Sequence, residues 1–223
     1  AAQEAEQELL ARVQSTLGSV GRGYSVALLL RGRETEAPQL VPQLLQMLFE
    51  EALPLSRSDH VLSTLSVVQL SPSGRTRDLL SPGMENLSVL DVPPLGLVVE
   101  DASEVEVSDS RAASELYLQA TGGEGRACCL LTLTMSCPGP DPPQGPEIRG
   151  VWRGALRILQ LPGAPDCPLL QVLAGEGAGK EVEGSLPWII SWLLEGNNYS
   201  GLLLRLDPQG GQGEGVGFFG KLW

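Results

Sequence analysis

The chain has 223 residues, of which 42% are hydrophobic and only 4% aromatic, and its 27 glycines and 17 prolines predict many turns. We interpret residues 1–223 as a single domain, which can itself be a piece of a longer protein. The formal net charge of -12 argues against nucleic acid and anionic membranes as partners, because phosphate groups call for clustered Lys and Arg.

The first third of the chain alternates helical and strand-like patterns. Apolar residues within 2–18 recur on one stripe, which predicts an amphipathic helix. The run YSVALLL at 24–30 is short and continuously apolar, which suits a strand covered on both faces. A second helix is predicted for VPQLLQMLFEEAL at 41–53, and VLSTLSVVQL at 61–70 is strand-like.

The middle of the chain is rich in short β candidates. These are LSVL at 87–90, LVVE at 97–100 and EVEV at 104–107. The segment after them predicts a helix with Ser108 as its cap and Asp109 in its first turn.

Two further strands flank the clearest loop. CCLLTLTM at 128–135 and VWRGALRILQL at 151–161 are strand-like. Between them, CPGPDPPQGPE at 137–147 carries five prolines, so we expect an internal loop without regular structure.

The end of the chain again alternates helix and strand. SLPWIISWLLEG predicts a helix that Ser185 caps and Gly196 stops. LLLRL at 202–206 predicts a last strand before a glycine-rich tail at 207–223. Alternation at both ends with a β-rich middle favours an α/β sheet with helices on its faces.

The four cysteines give little support for a metal site. Cys128 and Cys129 are neighbours in a strand and would point to opposite faces. Cys137 and Cys167 complete no C-x-x-C pair, and the single His60 is distant in sequence. Reduced, partly buried thiols are therefore preferred over zinc, and we expect no metal.

Several segments, in order and at compatible spacing, resemble the kinesin motor head. Each is similar to a segment of that family: GYSVALLLRG at 23–32, LVPQLLQMLF at 40–49, RDLLSP at 77–82, NLSVLD to EVEVS at 86–108, and GSLPWIISWL at 184–193. The resemblance implies a central mixed β-sheet of the P-loop NTPase type flanked by helices, here truncated and degenerate.

The resemblance also implies where ATP would bind, and this chain departs from the family there. If Gly32 is the first glycine of the phosphate loop, Gly-Lys-Thr should fall at 37–39, where the sequence has Ala-Pro-Gln. The phosphate-binding lysine and the magnesium-binding hydroxyl are both missing. Pro38 has no N–H to offer, and Glu34 and Glu36 bring negative charge toward the phosphates.

The two switch segments are equally changed. Of the family's first switch only Arg126 remains. In the second switch Gly163 remains, but Gln160 replaces the metal-linked carboxylate and Pro165 replaces the closing glutamate. We therefore expect no catalytic residue, no bound cofactor and no ATP hydrolysis.

A second glycine-rich segment, AGEGAGKE at 174–181, leaves one alternative open. It could form an unconventional phosphate loop of a nucleotide hydrolase or motor. Ala174 stands in place of the first glycine and Glu181 in place of the hydroxyl, so a flexible turn is the preferred interpretation.

Trp188 and Trp192 form an apolar stripe at i and i+4. Core packing is the default interpretation, and a partner-binding surface is the second. Lys180 and Lys221 are the only lysines, so motor-style contact with acidic tubulin is doubtful.

The preferred interpretation is a non-catalytic kinesin-like scaffold or protein-interaction module. The resemblance places it in a cytoskeletal, ciliary or centriolar assembly, with a coiled coil outside this chain as a further option. The acidic start AAQEAEQELL lacks the basic residues of a secretory signal, so we expect a cytoplasmic location. An unrelated α/β protein-binding domain is the other alternative.

Overall fold

The computed structural model describes residues 2–31, 40–53, 61–71, 75–122, 128–139, 150–163, 167–175, 182–196, 198–206 and 213–219. The helices are α1 Ala2–Leu17, α2 Leu40–Ala52, α3 Ser110–Thr121, α4 Pro168–Leu173 and α5 Leu186–Glu195. The strands are β1 Ser25–Arg31, β2 Leu62–Leu70, β3 Thr76–Asp78, β4 Val89–Val92, β5 Gly96–Val99, β6 Val105–Glu106, β7 Cys128–Pro138, β8 Val151–Leu161, β9 Tyr199–Leu206 and β10 Gly213–Phe219. Within these described residues, no helix is both long enough and apolar enough to span a membrane.

The strands form a mixed eight-stranded sheet in the order β10-β9-β1-β8-β7-β2-β3, with β6 beside β3 on the outer edge of β2. β1 lies between two parallel neighbours, β8 and β9, while the other pairs of the sheet are antiparallel. β4 and β5 form a separate antiparallel hairpin. The predicted α/β class with a central mixed sheet is confirmed.

Each face of the sheet has its own hydrophobic core. Leu28 packs into the core beneath α1, α2 and α3, whereas Leu29 packs into the core beneath α4, α5 and the β4–β5 hairpin. The continuous apolar run of β1 is therefore explained by cover on both faces. Cys128 and Cys129 divide between the two cores in the same way, as their neighbouring positions predict.

A glycine allows β8 to pass close to the chain that enters β1. Residues Gly18–Arg22 form a 3₁₀ turn, and the Tyr24 carbonyl accepts a hydrogen bond from the Ala155 N–H at 3.2 Å. A Cβ on Gly154 would overlap the carbonyl oxygen of Val20 and lie 2.8 Å from that of Tyr24. Gly154 is thus required for the contact that aligns β8 with β1.

Two sequence-based boundaries are wrong in detail. The cap of α3 is Asp109, whose carboxylate accepts from the Ala112 N–H at 2.8 Å, and not Ser108. The loop predicted for 137–147 begins inside β7, because Pro138 still pairs with Val151 of β8. Most of that loop lies outside the described residues.

The glycine-rich tail predicted for 207–223 is also partly wrong. Gly213–Phe219 forms β10, which pairs antiparallel with β9 at the edge of the sheet. Helix α4, Pro168–Leu173, was not predicted, because six residues are too few to show a helical period. The caps of α5 are confirmed, since Ser185 Oγ accepts from the Trp188 N–H and Gly196 follows the helix.

Candidate functional site

The strand ends next to the segments that the kinesin resemblance assigns to nucleotide binding lie at one end of the sheet. β1 ends at Arg31, which pairs with Leu161 at the end of β8, and β7 begins at Cys128 on the same edge. Ligands of open α/β sheets bind at the carboxyl ends of such parallel strands. The predicted positions Gly32, Pro38 and Arg126 lie outside the described residues, so only Gln160 and Gly163 are described structurally.

Gln160 is engaged by a side chain of the protein itself. Its Nε2 donates to the Tyr117 hydroxyl at 2.8 Å, joining β8 to α3. Tyr117 is buried, and this burial raises the pKa of its phenol despite the opposing hydrogen bond from Gln160. The position therefore holds a neutral amide–phenol pair where the resemblance expects a metal-linked carboxylate.

Gly163 accepts a hydrogen bond from the end of β1. The Arg31 Nη2 donates to the Gly163 carbonyl at 3.1 Å, and the Arg31 side chain is buried. The Arg31 side chain thus links the end of β1, which precedes the expected phosphate loop, to the segment after β8. Arg31 was not predicted as a site residue, although a charged residue at the end of an apolar strand is a signal that could have identified it.

The start of α2 offers little to an anion. Leu40 and Val41 open the helix with buried side chains, and Pro42 in its first turn has no N–H. Anions bind helix N-termini because the first amides point outward with a positive partial charge. A missing donor in this turn weakens that effect.

The glycine-rich segment 174–181 has the wrong element before it for a phosphate loop. Such loops connect a β-strand to a helix. Here Ala174 caps helix α4, and Gly175 follows with a φ of 73° in the left-handed region that glycine favours. Residues 176–181 lie outside the described part of the chain.

Trp188 and Trp192 lie at the boundary of the second core. Both side chains are half-buried and pack against the apolar residues beneath α5. The Trp192 ring also covers a buried cation, since the Arg157 Cζ lies 5.3 Å from its centroid. The two tryptophans thus combine the predicted core packing with a partly open surface.

The thiols of Cys128 and Cys129 are buried and protonated at neutral pH. All four cysteines are free and buried, and burial raises the pKa of Cys129 to about 12 and the pKa of Cys128 further still. Among the residues that the structure describes, no group of three or more His, Cys, Asp or Glu side chains is arranged to hold a metal ion.

A mixed central sheet between two helical layers, with the expected nucleotide edge at the ends of β1 and β8, defines a kinesin-motor-like fold. The motor domain of KIF14, solved over residues 391–772 as a dimer in the two-heads-bound state with AMP-PNP and a microtubule, is similar at a TM-score of 0.65 and 17% identity. The match covers 83% of this chain and 66% of the KIF14 chain, slightly less than two thirds of it. No family model matches the sequence, and no curated protein matches it. At this identity the similarity shows the fold alone.

Proposed function

We propose that this chain is a kinesin-like domain that has lost ATP binding and hydrolysis and acts as a scaffold or protein-interaction module. The observation that carries the proposal is the hydrogen bond between Gln160 and Tyr117. Gln160 stands where the kinesin resemblance expects a carboxylate that organises magnesium and phosphate. Its side chain is instead hydrogen-bonded to another side chain of the protein. The substitutions in the sequence at 37–39 act in the same direction.

The expected loss of nucleotide affinity is large. The lysine and hydroxyl contacts of the phosphate loop and the second-switch carboxylate are charge-assisted, and such hydrogen bonds contribute about 1.5–3 kcal/mol each. Three losses remove roughly a thousandfold or more in affinity, at about 1.4 kcal/mol per tenfold. Glu34 and Glu36 add repulsion toward a triphosphate.

The cytoskeletal setting rests on the fold alone. KIF14, which has the same fold, was solved in complex with a microtubule. This chain carries a net charge of -12 and only two lysines, so approach to acidic tubulin through basic loops is disfavoured. We therefore propose a protein partner within a cytoskeletal, ciliary or centriolar assembly, contacted through another surface.

The loss of nucleotide binding predicts an unchanged melting temperature on addition of magnesium-ATP. A ligand at a hundred times its Kd stabilises a protein by about 2.7 kcal/mol. For a domain of about this size that amounts to several degrees, at roughly 2–4 °C per kcal/mol. A kinesin motor domain with intact loops serves as the positive control in differential scanning fluorimetry.

The opposite outcome identifies the alternative. A shift of several degrees that disappears in Lys180→Ala would favour a nucleotide hydrolase that uses the loop at 174–181. A shift that persists in this variant would show that nucleotide binds without Lys180. Either shift contradicts the proposed loss of ATP binding.

The scaffold function predicts specific partners. With the chain as bait, lysates of ciliated and non-ciliated cells should yield cytoskeletal or ciliary proteins that mass spectrometry identifies. Gly154→Ala, which we expect to be destabilised, is the control for chaperone capture. Recovery of the same chaperones with both baits, and of nothing else, would contradict the proposal.

A further inference from the structure

A second site lies on the α4–α5 face of the sheet, away from the ends of β1 and β8 that would bind nucleotide. It is a cavity of about 730 Å³, within the size range of pockets for small organic ligands. Its floor is the sheet, and its walls come from the tip of the β4–β5 hairpin, the last turn of α5 and the start of β9. Residues that line it include Ser66, Leu95, Thr132, Arg157, Trp192 and Tyr199.

One cross-strand row forms the centre of the cavity floor. Ser66 of β2 pairs with Thr132 of β7, Thr132 pairs with Arg157 of β8, and Arg157 pairs with Ala27 of β1. Residues directly opposite each other in neighbouring strands have side chains on the same face. The row therefore contains one guanidinium and two small hydroxyl side chains, and it contains no carboxylate.

The guanidinium of Arg157 is only partly satisfied. Its Nη2 donates to the carbonyl oxygens of Leu95 and Leu97, both at 3.0 Å. Its Nε and Nη1 are buried, and no described residue accepts a hydrogen bond from either. Burial lowers the pKa of Arg157 to about 10, a change that the charge of Asp91 opposes, so the side chain is still a cation at neutral pH.

Neither of the two nearby carboxylates pairs with Arg157. Asp91 on β4 and Glu104 before β6 are both exposed, and neither forms an ion pair with Arg157 within the described residues. Glu104 and the exposed Arg153 line the cavity with opposite charges. A buried charge is costly unless an opposite charge or a full set of hydrogen bonds accompanies it.

We infer that this cavity binds a ligand with a carboxylate group on an aromatic or aliphatic body. The carboxylate accepts hydrogen bonds from the Arg157 N–H groups that lack a protein acceptor, and the hydroxyls of Ser66 and Thr132 lie in the same row. The apolar body packs against the Trp192 ring, which lies on the same face of the sheet as Arg157. This inference does not depend on whether the chain has lost ATP binding.

Entry of the ligand requires one side chain to move. The Trp192 ring lies over Arg157, and the Nε and Nη1 atoms have no contact with solvent while it does. Trp192 is half-buried on the last turn of α5. A change of its rotamer opens the guanidinium to the cavity, so binding should alter both the Trp192 indole and the Arg157 side chain.

The test is an NMR titration of the arginine Nε–Hε and tryptophan indole signals with benzoate. We expect the Arg157 and Trp192 signals to shift and saturate, with a Kd of about millimolar magnitude. Benzamide, which has the same shape without the charge, should bind at least tenfold more weakly. The absence of a saturable shift with benzoate, or equal binding of benzamide, would overturn the inference.

Two kinds of variant support this titration. Arg157→Gln should abolish the benzoate response, whereas Arg111→Gln, which removes an exposed arginine of α3 on the other side of the sheet, should leave it unchanged. If Arg157→Gln fails to fold, Thr132→Phe fills the floor while retaining Arg157 and should also abolish the response. Unchanged benzoate binding in either cavity variant would contradict the site.

A parallel titration separates the two sources of such a carboxylate. N-acetyl-Phe-Glu-amide carries the group on a peptide, as the acidic side chain of a protein partner would. Tighter binding of this peptide than of benzoate, by tenfold or more, assigns the cavity to a partner's acidic segment. Tighter binding of benzoate assigns the cavity to a free organic acid. If neither ligand binds, the proposed site is excluded.

Discussion

Gly154→Ala is expected to destabilise the domain by about 3 kcal/mol, the upper part of the range for inserting a methyl group into packed structure. The added Cβ would overlap the Val20 carbonyl oxygen and approach that of Tyr24 to 2.8 Å. Both obstacles are backbone atoms, so no rotamer change can relieve the contact. Urea unfolding followed by circular dichroism should show a lower midpoint with an unchanged slope.

Gly150→Ala is the matched control. A Cβ at Gly150, just before β8, would meet no atom within 4 Å. This substitution should change the free energy of unfolding by less than about 0.5 kcal/mol, as surface substitutions usually do. Equal stability of the two variants would show that β8 does not approach the 3₁₀ turn as closely as described.

Asp78→Ala is expected to cost about 3–5 kcal/mol. Asp78 is buried at the end of β3, and its carboxylate accepts from three backbone N–H groups: Leu80 at 2.8 Å, Ser81 at 3.2 Å and Ser103 at 2.7 Å. Each buried donor left without a partner costs about 1–3 kcal/mol. The contacts join the turn after β3 to the segment before β6, so the loss should also loosen that edge of the sheet.

Asp109→Ala provides a graded comparison for Asp78→Ala. Asp109 caps α3 through one exposed bond to the Ala112 N–H. Loss of such a cap costs about 1 kcal/mol. Chemical unfolding should therefore rank Asp78→Ala well below Asp109→Ala in stability, and amide exchange at Ser103 should accelerate only in Asp78→Ala. The reverse ranking would contradict the network around Asp78.

The two candidate sites differ in the state of their charged groups. At the end of β1, Arg31 donates to the Gly163 carbonyl, and Gln160 is bonded to Tyr117. In the cavity, Arg157 keeps N–H groups without an acceptor among the described residues. Among the described residues, Arg31 and Gln160 at the ends of β1 and β8 are thus engaged in internal contacts, whereas the inferred cavity site offers Arg157 N–H groups to an anion.

Local chemistry was sufficient to predict the longer helices and the central strands of the fold, although not α4 or β10. The continuous apolar run of β1 indicated a strand with cover on both faces, which the two cores supply. Ser185 and Gly196 bounded α5, because capping depends on backbone groups within one turn. The departures at 37–39 from a phosphate loop could likewise be seen in the sequence, since they concern residue identity alone.

The alternation of strands and helices by itself determined the α/β class, because period and capping are properties of neighbouring residues. Only the tertiary structure decided that glycine-rich residues Gly213–Phe219 form an edge strand, since β9 supplies the backbone partners that side chains do not. It also paired Gln160 with Tyr117, 43 positions away, and placed Arg157 beside Thr132. Contacts between distant residues depend on strand order and register, and no local pattern carries that information.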